Sequence, residues 1–227
     1  MPPMTFHQRW DRHREIHKGV RFALFAVTTR AGTADAGDEL SVRSLLDLFD
    51  DVAVVVRAHH AQEDECWVPV IRRYVDRLGD EVAAAHVASD RQLAALHDAA
   101  YHVRQAAPVQ RAALLHAFHL DLADYTVNAL THLDVEERLV MPAVSVALIG
   151  IEPDAVGHHI GSAVPPPELF SLLRFMVPAM NFTERLDVLG ALYACLPAEE
   201  FELVRKVAAL ALASEDYDAL ALAAGFG

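Results

Sequence analysis

The chain is poor in cysteine: its 227 residues contain only Cys66 and Cys195, too few for a disulfide framework or a zinc–thiolate site. Chemistry through a thiol pair is therefore not expected. Glycine and proline are also sparse, at 10 and 11 residues, which excludes collagen-like and low-complexity classes. Positive charge is scarce. Nineteen Lys and Arg face 32 Asp and Glu, leaving a formal charge of −13, and no basic run offsets that field, so neither nucleic acid nor an anionic membrane is an expected partner. No apolar stretch reaches the roughly 18 residues of a membrane span. The opening residues MPPMTFHQRWDRHREIH are too charged for a secretory signal, so the expected location is the cytoplasm. Extended alternation of β-branched residues is almost absent, which leaves little material for strands.

Hydrophobic residues make up 53% of the chain and charged residues 22%, enough for one large domain or an ordinary domain with an appended helical piece. Histidine is unusually frequent, with 13 copies, and imidazole is the commonest metal ligand among side chains. Ala, Leu, Arg, Glu and Gln fill long windows with apolar residues at three- and four-residue spacing, so the fold is expected to be all-α.

The first helix is expected from about Thr5 to Thr29, ended by a loop over residues 30–37. A second starts near Ser41 as N-cap and runs to about Trp67, where Pro69 breaks or kinks it. After Leu78-Gly79-Asp80 a third runs to about Gln105, and Pro108 opens a fourth that passes His132 before Pro142 disturbs it. Four long helices with short connections predict an up-down-up-down four-helix bundle over residues 1–148. A linker over 149–166 leads to a C-terminal helical extension over 167–227. Its helices are expected at Glu168 to Met180, Thr183 to Cys195, Ala198 to Ala213 and around Tyr217 to Ala224. That extension reads either as a cap over an apolar face of the bundle or as a lid or homodimer surface.

The strongest chemical signal is an internal echo. His59 is followed by Glu63, Asp64 and Pro69, and His132 by Glu136, Glu137 and Pro142. The copies lie 73 residues apart, one on the second helix and one on the fourth. Positions i and i+4 share a helix face, so each copy presents an imidazole and a carboxylate together. His17 and His86 add one imidazole each from the apolar stretches of the first and third helices. Ionisable groups in a dry bundle interior cost several kcal/mol unless compensated. Four imidazoles and two carboxylates suit a pair of iron or manganese ions, and zinc and copper use the same donor types.

This pattern resembles the hemerythrin-like, or HHE cation-binding, proteins over about the first 145 residues. The resemblance implies a four-helix bundle holding two non-haem iron ions, oxo- or hydroxo-bridged. It implies His17 and His59 as terminal ligands of one iron, His86 and His132 of the other, and Glu63 and Glu136 as bridges. The chain departs from the oxygen-carrying members at two positions. They carry a second histidine one turn after the third-helix ligand, where this chain has Asp90, and their fourth-helix carboxylate falls where this chain has Glu137. Glu136 is preferred because it repeats the second-helix spacing. Asp90, if it filled the vacant position, would enrich the site in oxygen donors and favour redox turnover over oxygen carriage.

The expected partner is therefore dioxygen, hydrogen peroxide or nitric oxide, with catalase-like peroxide decomposition in oxidative stress as the leading activity. Its rivals are another di-iron oxidoreductase activity, reversible oxygen binding or sensing, and an iron-responsive regulatory module. Around the ligands, His60, Asp64 and Glu137 are expected to hydrogen-bond to them, Tyr125 to pack, and His13, flanked by Arg12 and Arg14, to lie at the surface. His97, His102, His116 and His119 also read as surface residues, and His158 and His159 as part of the loop.

Overall fold

A computed structural model of the chain describes residues 6–147 and 166–225. All regular structure among these residues is helical. Helix α1 spans Phe6–Thr33 and buries Val20, Ala23, Leu24, Val27 and Ala31 along one stripe. It runs four residues beyond the expected end. The following loop is correspondingly short, because Asp35 Oδ1 accepts the Gly37 N–H at 2.8 Å and closes the turn locally.

Helix α2 spans Glu39–Gln62. Its N-cap is Asp38, whose side chain accepts from the Leu40 N–H at 2.9 Å, and not Ser41 as expected. The Ser41 hydroxyl instead accepts the Asp35 N–H at 3.0 Å. Leu45, Leu46, Phe49, Val52 and Val56 form the buried stripe of α2, each such side chain stabilising the core by about 1.5–3 kcal/mol. Phe49 meets Phe118 of α4 edge-on at 5.2 Å between ring centres.

At Glu63 the hydrogen-bond pattern changes. The Glu63 N–H is shared between the carbonyls of His59 and His60, and a π-turn, π1, spans Glu63–Trp67, with the Val68 N–H bonding the Glu63 carbonyl. Pro69 explains why a wider turn is tolerated here: it has no N–H to give, and its ring would press on the carbonyl four residues back in a regular α-turn. The second copy of the echo does the same. Helix α4 spans Pro108–Val135, π-turn π2 spans Glu136–Val140 with the Met141 N–H on the Glu136 carbonyl, and α5, Met141–Ala147, contains Pro142.

Helix α3 spans Val68–Gln105, with one break at Val75 (φ −147°, ψ 60°). The expected interruption at Leu78-Gly79-Asp80 therefore lies at Val75 instead, and Gly79 sits buried inside the helix. Its lack of a side chain serves close approach: a Cβ at Gly79 would meet Arg72 Cγ at 2.5 Å and the Arg72 backbone nitrogen at 2.8 Å.

In the C-terminal part, α6 spans Pro166–Ala179, α7 Phe182–Cys195, α8 Ala198–Ala211 and α9 Ser214–Ala224. The cap of α7 is Asn181 and not Thr183. Asn181 and Glu184 form a reciprocal capping box, each side chain accepting the other's backbone N–H. The expected linker lies mostly outside the described residues, as do His158 and His159.

The architecture is thus an all-α four-helix bundle, α1 to α4, with a C-terminal helical extension. Its contacts gather into two compact units, one of residues 24–162 and one of residues 1–23 with 163–227. Within the first, the Thr28 and Thr126 hydroxyls join at 2.8 Å and Arg104 bonds Asp50 at 2.7 Å. Within the second, α6 presses on the N-terminal half of α1 so closely that a Cβ at Gly19 would meet Met176 Cγ at 2.9 Å. Lys18 pairs with Glu184 there at 2.5 Å.

Candidate metal centre

Each copy of the echo places a histidine in the last turn of an α-helix and opens a π-turn on a glutamate. His59 Nε2 lies 3.4 Å from Glu63 Oε2, and His132 Nε2 lies 3.4 Å from Glu136 Oε1, as the shared helix face predicts. Helix α3 brings in His86. Its Nε2 is 3.2 Å from Glu63 Oε2 and 3.9 Å from Glu136 Oε1. Glu63, His86, His132 and Glu136 each offer a ligand atom, and all four atoms lie within 4.8 Å of one another. Glu63, His86 and Glu136 are buried, as is His59.

The electrostatics of this cluster disfavour an ionised Glu136 when no cation is present. Burial raises Glu136 well above the ordinary carboxylate range, and the neighbouring carboxylates of Glu63 and Glu137 raise it further. For His86, burial works against the charged ring, but Glu63 and Asp64 outweigh it and hold the imidazole above its ordinary value. A cation among these groups would relieve the repulsion between Glu63 and Glu136. Imidazole nitrogens and carboxylate oxygens are a donor set for iron, manganese or zinc. The residues present therefore fit a metal centre.

The surrounding side chains hold the donors in place. Asp64, expected as a hydrogen-bonding neighbour, has its Oδ1 2.7 Å from His86 Nδ1. His60 is more involved than its sequence position implies. It is buried, stacks on His86 with ring centres 4.4 Å apart and planes at 16°, and offers a ligand atom within 4.8 Å of those of His86 and His132. The available signal was the adjacent pair His59-His60 on a helix whose next apolar positions are already core.

His17 is fully buried on α1, with its ring 4.2 Å from that of His13. His13 is itself buried, at 5% exposure, which corrects the surface position expected from its arginine neighbours.

Asp90 does not fill the position one turn after His86. Its side chain is 58% exposed, and its nearest approach to the imidazoles is 3.9 Å, to His60 Nδ1. Glu137 is half-buried and acts on Glu136 through its charge. Tyr125 packs in the interior as expected, its hydroxyl 3.0 Å from Ser89 Oγ. Burial pushes its phenol up to about 12. His102 and His116 are exposed as expected, whereas His97 and His119 are partly buried. His97 Nδ1 meets the Leu93 carbonyl at 2.8 Å.

Among the described residues, no helix is long and apolar enough to cross a membrane. The family model described as Hemerythrin HHE cation binding domain matches residues 8–144. No curated protein and no solved structure matches the chain.

Proposed function

The chain belongs to the hemerythrin HHE cation-binding family, and from that premise we propose that its buried cluster holds two non-haem iron ions and reacts with a small oxidant. The observation that carries this reading is the convergence of Glu63, His86, His132 and Glu136 within 4.8 Å. His59, beside Glu63 at 3.4 Å, and His17 of α1 complete the ligand set we propose, with the two glutamates as bridges between oxo- or hydroxo-linked ions.

Iron bound there would supply one-electron redox change and an open coordination position to dioxygen, hydrogen peroxide or nitric oxide. The chain's own residues set which molecules arrive. The interior position of Glu63, His86 and Glu136 excludes bulk water. Glu63 and Glu136 would hold the metal through carboxylate oxygens, whose negative charge would favour its more oxidised state. The residue one turn after His86 is Asp90, so the chain has no imidazole at that position, unlike the oxygen carriers that the sequence resembles, and because Asp90 is exposed it adds no oxygen donor either. The missing imidazole supports turnover over carriage, and peroxide disproportionation to water and dioxygen is the activity we favour. A homodimer through the C-terminal helices is a further part of the proposal, supported by the exposed Tyr193, Leu210 and Leu222.

Metal analysis and an optical spectrum of protein from iron-supplemented cells, before and after peroxide, test the proposal. About two irons per chain, near-ultraviolet bands of a bridged pair and oxygen release are expected. A reversible oxygenated spectrum without turnover would assign carriage or sensing, and metal-dependent capture of a partner would assign a regulatory module. A folded, metal-free and spectrally silent protein would overturn the di-iron reading.

A further inference from the structure

His86 is the one imidazole of the convergent cluster that the echo does not supply, and it is held from several directions. Its Nδ1 edge meets Asp64 Oδ1 at 2.7 Å, one face is stacked on His60 at 4.4 Å, and His132 stands edge-on to it at 4.9 Å and 86°. The opposite edge, Nε2, turns toward Glu63 and Glu136.

A helical histidine has another way to satisfy Nδ1. Three turns along the same helix, His97 Nδ1 meets the backbone carbonyl of Leu93 at 2.8 Å. His86 instead takes a carboxylate from a different element. That carboxylate comes from π1, one residue after Glu63, so a single π-turn sends Glu63 into the cluster and Asp64 to the far edge of the same ring.

We propose that Asp64 is a positioning residue for the metal centre. It accepts a hydrogen bond from the His86 Nδ1–H, fixing the neutral tautomer whose lone pair lies on Nε2 and faces the two glutamates. Which ring nitrogen of an imidazole carries the proton is set by the hydrogen bond that the other edge makes. A carboxylate in that place also raises the basicity of the ligating nitrogen. This inference rests on the metal-centre reading above and extends it to a residue that does not itself touch the metal.

The test uses the full chain, nitrogen-15 labelled, in wild-type, Asp64→Asn and Asp64→Leu forms. The Asp64 side chain is 51% exposed, so neither substitution hollows the core. Two readouts are taken: Co(II) affinity, and the protonation site of His86 from two-bond proton–nitrogen NMR of the metal-free protein at a pH where the ring is neutral. Wild type is expected to carry the proton on Nδ1. Asp64→Leu should lose roughly tenfold to a hundredfold in affinity and move the proton to Nε2. Asp64→Asn, whose amide oxygen still accepts, should lie closer to wild type in both. An Asp64→Leu protein with wild-type affinity and its proton still on Nδ1 overturns the proposal alone. A wild-type chain that takes up neither Co(II) nor Fe(II) overturns the metal-centre reading, and the proposal with it.

Discussion

Glu63 Oε2 lies 3.2 Å from His86 Nε2, so the π-turn that ends one helix touches the middle of the next through a carboxylate and an imidazole. The Glu63 charge that would hold a cation also presses on Glu136 and helps lift its carboxyl above the ordinary range. Without metal, the two acids oppose each other in the interior.

Replacing Glu63 by Gln should therefore separate folding from metal binding. In the metal-free state one buried charge disappears and Glu136 ionises more easily, so the variant should melt higher than wild type near neutral pH. A gain of about 1 kcal/mol corresponds to roughly 2–4 °C at this size. Metal content should fall from two ions per chain to one or none, and turnover with it. Calorimetry of the metal-free proteins and metal analysis of the loaded ones check both halves.

The pH dependence follows from two groups with the same sign. Glu136 is raised above the ordinary glutamate value of 4.5 and His86 above the ordinary imidazole value of 6.5, so each binds its proton more tightly folded than unfolded. Their contribution to the metal-free fold is complete below those ordinary values and is lost as pH rises through the raised ones. Metal uptake displaces those protons and strengthens in the same direction. Glu184, lowered by Lys18 against the effect of burial, works oppositely, but only as pH falls below the ordinary glutamate range. Melting curves from about pH 5 to 9 should fall for the metal-free protein, and the gain on adding iron should grow with pH.

Gly79→Ala should be costly for a helical position. Alanine ordinarily stabilises a helix by about 1 kcal/mol over glycine. Here its Cβ would lie 2.8 Å from the Arg72 backbone nitrogen, and overpacking of this kind typically costs about 1–3 kcal/mol. A net loss on urea unfolding, with α3 displaced toward the cluster end and metal affinity reduced, is the expected outcome.

Gly19→Ala tests the packing of α6 on α1. The new Cβ would meet Met176 Cγ at 2.9 Å and its Cα at 3.0 Å. The side chain can swing away but the backbone cannot. A loss of about 1–2 kcal/mol is expected, and Gly19→Ala combined with Met176→Ala should recover only part of it. Thermal melts of the three proteins measure this.

The two His–Glu pairs were legible because His59 with Glu63, and His132 with Glu136, obey the geometry of a helix face, which sequence spacing encodes directly. His86 was legible from its apolar neighbours Val82 and Leu93, both core residues. His13 and His60 were harder to read. His60 sits beside His59, which already defines the inward face, and only the width of the actual buried stripe shows that two adjacent directions point inside; His13 shares the face of His17 one turn on, but its arginine neighbours read as surface. The break at Val75 was not legible, since a valine carries no helix-stopping signal, and Gly79 drew attention for a flexibility the structure does not use. Asp90 misled because spacing put it one turn from His86, whereas its exposure depends on how α2 and α3 meet.

Each π-turn adds one residue to a helical repeat, and so acts as a phase shift of about 100° in the apolar stripe. Before Glu63 the stripe runs through Val52 and Val56, and after it Trp67, Val68 and Ile71 are buried, so the two stretches of chain are tuned to the same core by a single inserted step. Deleting one residue from the turn would rotate everything downstream out of register. The wall that closes the cluster is therefore set by a count of residues as much as by their identity.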